Sequence, residues 1–172
     1  VVQNISDRKT AEEALQKSET RFRQLAETIE EVVWSADPVI GKTLYISPAY
    51  ERVWGRSCVS LYEQPQSFVD SIHPDDRARV VAGLFEHREG LPFDHEYRII
   101  RPDGTVRWVW DRGFPVRDTL TGALTHYVGV ALDITDRRQA EEALRVSESA
   151  IRELHEITSS KTARFDQQIR QL

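Results

Sequence analysis

The sequence predicts an α+β fold: an antiparallel sheet with helices over one face, flanked by N- and C-terminal amphipathic linker helices. Three observations carry that expectation. Five short runs rich in β-branched and aromatic residues are bounded by Pro and Gly turns. Helical spacing fills roughly 45 residues between the second and third runs. The two ends repeat nearly the same stretch, NISDRKTAEEALQKSE at Asn4–Glu19 and DITDRRQAEEALRVSE at Asp133–Glu148, identical at ten of sixteen positions. A repeat of this kind marks one architectural unit used twice.

The leading helix is read from small and apolar positions Ala11, Leu15, Ser18, Phe22, Leu25 and Ile29, which step by four and three. The second copy places Ala140, Leu144, Ser147, Ile151, Leu154 and Thr158 with the same steps. That is an a/d heptad seam, weakened by hydroxyl side chains at three core positions; its alternative is an amphipathic helix laid on its own domain. Asp7 and Asp136, or Ser6 and Thr135, suit the N-cap, and Gln139 stands three residues after Asp136 as a capping box requires. The opening VVQNISD aligns with VALDITD at Val130–Asp136, so Val1–Gln3 read as the tail of a strand in a preceding unit and the chain as part of a longer protein.

The first two strands, Glu31–Asp37 and Lys42–Ser47, are separated by Pro38 and Gly41, which suits a hairpin. Pro74–Arg88 is the clearest helix before the third strand, with Asp75 and Asp76 in its first turn, where the helix dipole favours carboxylates. Phe93–Arg101, a Pro102–Gly104 turn, Val106–Val116, a Thr121-Gly122 turn and Leu124–Ile134 complete the strands. On Val106–Val116, residues Val106, Trp108, Trp110, Phe114 and Val116 share one face, and Arg107, Val109, Asp111 and Gly113 share the other. Beyond Leu154 a helical linker is expected to break near Thr158-Ser159-Ser160, where hydroxyls compete for backbone hydrogen bonds.

Composition excludes several functions. With 40% hydrophobic and 30% charged residues and a net charge of −5 from mixed signs, no basic stripe is available for nucleic acid. No apolar run approaches bilayer length, so a soluble, cytoplasmic module without direct membrane contact is expected, in a parent that could itself be membrane-tethered. Cys58 is the single cysteine, which rules out an internal disulfide.

The ordered series YISPAYERVWG (Tyr45–Gly55), IHPDDR (Ile72–Arg77), HEYRIIRPDGTVRWV (His95–Val109) and GVALDITDRRQAEE (Gly129–Glu142) resembles a PAS domain with its C-terminal PAC segment. The resemblance implies two strands before the helical segment and three after, closing over a cleft. It also implies a non-catalytic sensory or relay module of a bacterial signalling protein, a histidine kinase or a cyclic-dinucleotide enzyme. The expected organisation is residues 1–18 as the end of a preceding PAS/PAC unit and linker helix, 19–137 as the PAS domain, and 138–172 as a signalling helix. The last stub, Leu154–Leu172, is similar to the run-in to a GAF domain.

Within that frame Trp34, Tyr45, Trp54, Phe85, Tyr97, Trp108 and Trp110 are the candidate pocket-lining residues, although the same aromatics fill a core equally well. Asp133, Ile134 and Thr135 form the candidate signal junction, and the seam residues Leu15, Phe22, Leu25, Ile29, Leu144, Ile151 and Leu154 are expected to pair the flanking helices in a homodimer. A small-molecule ligand is compatible with the cleft. Cofactor identity is unknown and none is expected: His87 is the histidine placed best for an axial haem ligand, but a lone histidine near a helix C-terminus is more often a surface residue. The sequence around Cys58, RSCVSLYE, lacks the Asn-Cys-Arg-Phe-Leu-Gln stretch of flavin-adduct sensors. The alternative function, a haem- or flavin-based redox, gas or light sensor, would show in the visible spectrum. His155 in LHEITSS lacks the Arg-x-Pro that follows a phospho-accepting His-Glu, His73 has no second ligand at metal spacing, and no catalytic or metal site is expected.

Overall fold

The computed structural model describes residues 2–38, 42–88 and 90–169, with side chains other than those of residues 2–7, 85–88, 160 and 162–169. Helix α1 (Val2–Thr28) leads into β1 (Val32–Ala36) and β2 (Thr43–Ile46). Three short helices follow, α2 (Ala49–Trp54), α3 (Cys58–Glu63) and α4 (Gln66–Ser71), then α5 (Pro74–Arg88). Strands β3 (Phe93–Ile100), β4 (Val106–Arg117) and β5 (Leu124–Asp133) complete the sheet before α6 (Thr135–Ile169). The chain divides into two units, residues 1–134 and 135–172.

The sheet is antiparallel with strand order β2-β1-β5-β4-β3, so the last strand sits at the centre, between the first and the fourth. Local chemistry accounts for the turns. Gly104, with φ of 81°, takes the left-handed position of the Pro102-Asp103-Gly104 turn, and its N–H donates to Arg101 O at 2.9 Å. Gly55 closes α2 in the same conformation, donating to Glu51 O. Ser57 caps α3 by accepting from Ser60 N at 3.1 Å. Pro74 opens α5, where its missing N–H costs nothing.

The core lies between the inner sheet face and α2–α5. Tyr50, Val53 and Trp54 of α2, Leu61 of α3 and Val80 of α5 pack with Val32, Phe93, Tyr97, Ile99, Val109 and Ala131 of the strands. On β4 the two faces group as their parity predicts, and the buried face is the one with Val109, Asp111 and Gly113. Trp108 and Trp110 therefore stand on the outer face. Arginine makes that placement tolerable: Arg98 lies 5.5 Å from the Trp108 ring centroid and Arg112 lies 5.0 Å from that of Trp110. Trp110 Nε1 also donates to Asp94 Oδ1 at 2.7 Å.

Three local expectations change. Val2 and Gln3 are helical rather than the tail of a strand, because a strand needs a paired neighbour and a helix supplies its own hydrogen bonds. The Asp7 cap is consequently absent, since α1 runs through it. The break near Thr158 does not occur: Thr158 Oγ1 donates to Leu154 O at 2.7 Å, so the hydroxyl adds to the helical bonding instead of displacing it.

Candidate functional site

Between the sheet and the helices lies a cavity of about 160 Å³. β1 contributes Val32 and Trp34, α2 contributes Tyr50 and Trp54, α4 contributes Phe68, and the strands behind them contribute Phe93, Asp111, Tyr127 and Ala131. Asp37, Pro38, Lys42 and Thr43 line it at the β1–β2 hairpin. Apolar cavities of about 150 Å³ bind benzene-sized molecules, which sets the scale of an occupant.

Asp111 is the one carboxylate set deep in this wall. It is 4% exposed, and it is held by two donors, one from β1 across the central strand and one from the adjacent β3: Trp34 Nε1 to Oδ1 and Tyr97 OH to Oδ2, each at 2.8 Å. Burial pushes its carboxyl up to about 6, and the two hydrogen bonds work against that rise by favouring the anion. Tyr97, fully enclosed and beside this carboxylate, is raised well above the ordinary phenol range, by burial first and by the Asp111 charge second. Tyr50 stacks on Trp54 with centroids 5.0 Å apart and is pushed up to about 12 by burial. Trp54 is fixed in turn by donation from Nε1 to Ser71 Oγ at 3.2 Å.

The expected pocket residues separate into groups. Trp34 and Trp54 line the cavity. Tyr97 is buried in the core and reaches the site through its bond to Asp111. Tyr45 is turned toward α1, its ring 5.6 Å from that of Phe22 in an edge-on contact. Trp108 and Trp110 occupy the outer sheet face, a correction to their expected place, because period-two alternation carries them away from Val109 and Asp111. The side chains of Phe85 and His87 lie outside the described residues. Asp111, Tyr50, Phe68, Phe93 and Tyr127 were missed. Asp111 had a signal: a carboxylate between Val109 and Gly113 on the face opposite the tryptophans.

The strand end is built tightly. Asp133 pairs opposite Val109 and lies 3.4 Å from Arg107 Nη1 through Oδ2. Ile134 is buried, and its N–H donates to Trp108 O at 2.9 Å. Thr135 begins α6 directly afterwards, with Asp136 in the first turn. Asp76 stands in the first turn of α5 as expected, and it is also bound to Arg98 of β3, whose hydrogen bonds lower its carboxyl to about 2.

A family profile described as PAS fold matches residues 43–131, just over half of the chain. The chain belongs to the PAS family. The PAS unit is 35% identical, with a TM-score of 0.59, to the solved structure of a sensory box histidine kinase/response regulator from Burkholderia thailandensis, covering 77% of this chain and 98% of that one. It is 25% identical, with a TM-score of 0.57, to the N-terminal domain of a diguanylate cyclase with PAS/PAC sensor from Marinobacter aquaeolei, covering 63% and 98%. It is also 35% identical over 96 residues to the sensor protein FixL of Bradyrhizobium diazoefficiens, covering 54% of this chain and 19% of that one. The chain spans less than a third of the length of the curated relatives it matches. A PAS unit is a sensory module and generally non-catalytic, and among the described residues no helix is long and apolar enough to cross a membrane.

Among the described residues, this PAS cavity offers no axial ligand for haem and no thiol for a flavin adduct. Its volume suits one small ring system rather than a porphyrin or a tricyclic flavin. Its described lining holds neither histidine nor cysteine. Cys58 Sγ faces Ser47 O at 3.6 Å, and burial, then Glu51, push its thiol up to about 11, the opposite of a reactive thiolate.

Proposed function

We propose that this PAS module binds a small molecule in the cavity between its sheet and helices and relays occupancy through the Asp133–Ile134–Thr135 junction to its flanking helices. The observation that carries the reading is the continuity of the cavity wall with the exit strand: Ala131 of β5 lines the cavity, and Asp133, two residues on, ends the strand from which α6 departs. Asp111, opposite Ala131 in the ladder, links a change in the cavity to the same strand.

The flanking helices are the output. On α1 the seam residues Leu15 and Leu25 are 69% and 67% exposed, with Phe22 also open and Ile29 exposed just past the helix end; on α6 Leu144, Ile151 and Leu154 are exposed likewise. Apolar seams repeated with 4-3 spacing favour a parallel homodimer, and the hydroxyl-bearing seam positions keep the pairing marginal enough for a small shift in the sheet to bias it. In the parent, a cytoplasmic part of a histidine kinase or cyclic-dinucleotide enzyme, this bias sets the activity of a downstream domain. Native mass spectrometry of the module purified from its own host tests the ligand: added mass that disappears on denaturation is expected, and a bare chain mass in every charge state argues for a relay with an empty cleft.

A further inference from the structure

We infer that the ligand is a small organic cation, an ammonium whose charge is met by Asp111 and whose alkyl groups are enclosed by aromatic rings. This rests on the ligand-binding reading above and adds the charge and size of the occupant.

Charge is the first argument. The only partners of Asp111 among the described residues are Trp34 and Tyr97, both neutral, and no Lys, Arg or His pairs with it. An ionised carboxylate presents about four acceptor directions, so two donors leave capacity for a third. A buried carboxylate without a counter-charge is costly, and a cation in contact with it offsets that cost in a way that a neutral molecule does not. An anionic ligand would meet like charge.

The walls are the second argument. Trp34, Tyr50, Trp54, Phe68, Phe93 and Tyr127 all line the cavity. Aromatic faces attract a cation within about 6 Å of the ring centroid, most strongly where water is excluded. Primary and quaternary amines up to about the bulk of benzene match the 160 Å³ available.

Ionisation of Asp111 couples binding to pH. Burial raises its carboxyl to about 6, and a bound cation favours the anion, so a permanently charged ligand binds more weakly as pH falls through that value. Among the described residues, the other titratable groups at the cavity are Tyr50 of α2, Tyr127 of β5, and Asp37 and Lys42 of the hairpin, with Tyr97 of β3 behind Asp111. The tyrosines are all raised further from this window. Asp37 and Lys42 stay in place when Asp111 is substituted, so the variant separates their effect from that of Asp111.

The test titrates the 172-residue chain with choline, with tetramethylammonium and with 3,3-dimethylbutan-1-ol, in which carbon replaces the choline nitrogen. Heat of binding and fluorescence of the wall tryptophans are the readouts, at about pH 5 and about pH 7.5. Expected is a preference for choline over the alcohol of about tenfold or more at the higher pH. That preference shrinks at the lower pH and disappears in Asp111→Asn. Should the substitution unfold the chain, the pH series on the native sequence decides alone. Equal or tighter binding of the alcohol at both pH values overturns the cation and leaves the ligand-binding reading standing. Binding of neither cation also overturns it, and only a bare native mass from the host would then remove the ligand-binding reading as well.

Discussion

Asp76 of α5 accepts three hydrogen bonds from Arg98 of β3: the backbone N and Nε donate to Oδ2, and Nη2 donates to Oδ1, all at 2.9 Å. One carboxylate thus joins the long helix to the sheet edge, beside the Ile72–Ile99 bridge and the His73 N to Arg98 O bond. Asp76→Ala is expected to lower stability by about 1–2 kcal/mol at neutral pH, the scale of charge-assisted bonds discounted for the water that reaches the pair. The carboxyl is held at about 2, below its unfolded value, so its contribution is present above about pH 4 and is lost as pH falls through about 2. Urea unfolding of both proteins across that range checks it; a constant difference between them would contradict the ion pair.

Asp111 behaves in the opposite sense. Its folded carboxyl stands at about 6, above the unfolded value, so its protonated form favours the fold below about pH 4 and that advantage is lost as pH rises to about 6. Relative to Asp111→Asn, wild type is expected to lose on the order of 2–3 kcal/mol between these limits and nothing further above them. Denaturation midpoints of the two proteins at about pH 4 to 8 are the measurement, and parallel profiles would refute it.

Gly129 of β5 leaves the space that the Trp34 ring occupies: an added Cβ would collide with that ring and with Arg112 O. Gly129→Ala is expected to destabilise the module by about 1–3 kcal/mol through overpacking and to pull Trp34 away from Asp111. A shifted tryptophan emission together with a lowered midpoint is the expected signature; an unchanged spectrum would mean that the strand yields instead.

At the junction, Asp133→Ala removes the partner of Arg107 and is expected to cost about 1 kcal/mol, with Arg107→Ala close to it. A thermal or urea midpoint unchanged in both variants would show that the contact contributes nothing.

The seam can be tested by phase. One residue inserted after Arg145 rotates everything downstream by about 100°, whereas seven residues restore the seam to within about 20°. In a signalling protein that carries this module, the single insertion should lock or abolish output and the longer one should preserve regulation. Sedimentation of the 172-residue chain should show a dimer that Ile151→Glu dissociates, and a monomer at high concentration would make the helices simple spacers.

The sequence by itself determined the strands and the helix that precedes the third of them. Period-two runs located all five strands to within a residue or two, and Pro74–Arg88 was placed at both ends, because Pro, Gly and the first-turn carboxylates are local signals acting over a few residues. It also showed which residues share a face of β4. Which face turns inward was decided only by the tertiary structure: arginines from β3 and β4 cover Trp108 and Trp110 outside, while Val109 packs inside with the α2 aromatics Tyr50 and Trp54. The cavity and its carboxylate follow from that choice. Trp34, Tyr97 and Asp111 come from three different strands, with Trp34 and Asp111 separated by 77 positions, and no local pattern states that they meet. The same holds for Asp76, whose helix-start position was legible but whose bond to Arg98 depends on how α5 packs against β3. Local propensity reports the backbone of a few neighbouring residues; the pairing of distant strands decides which side chains become a site.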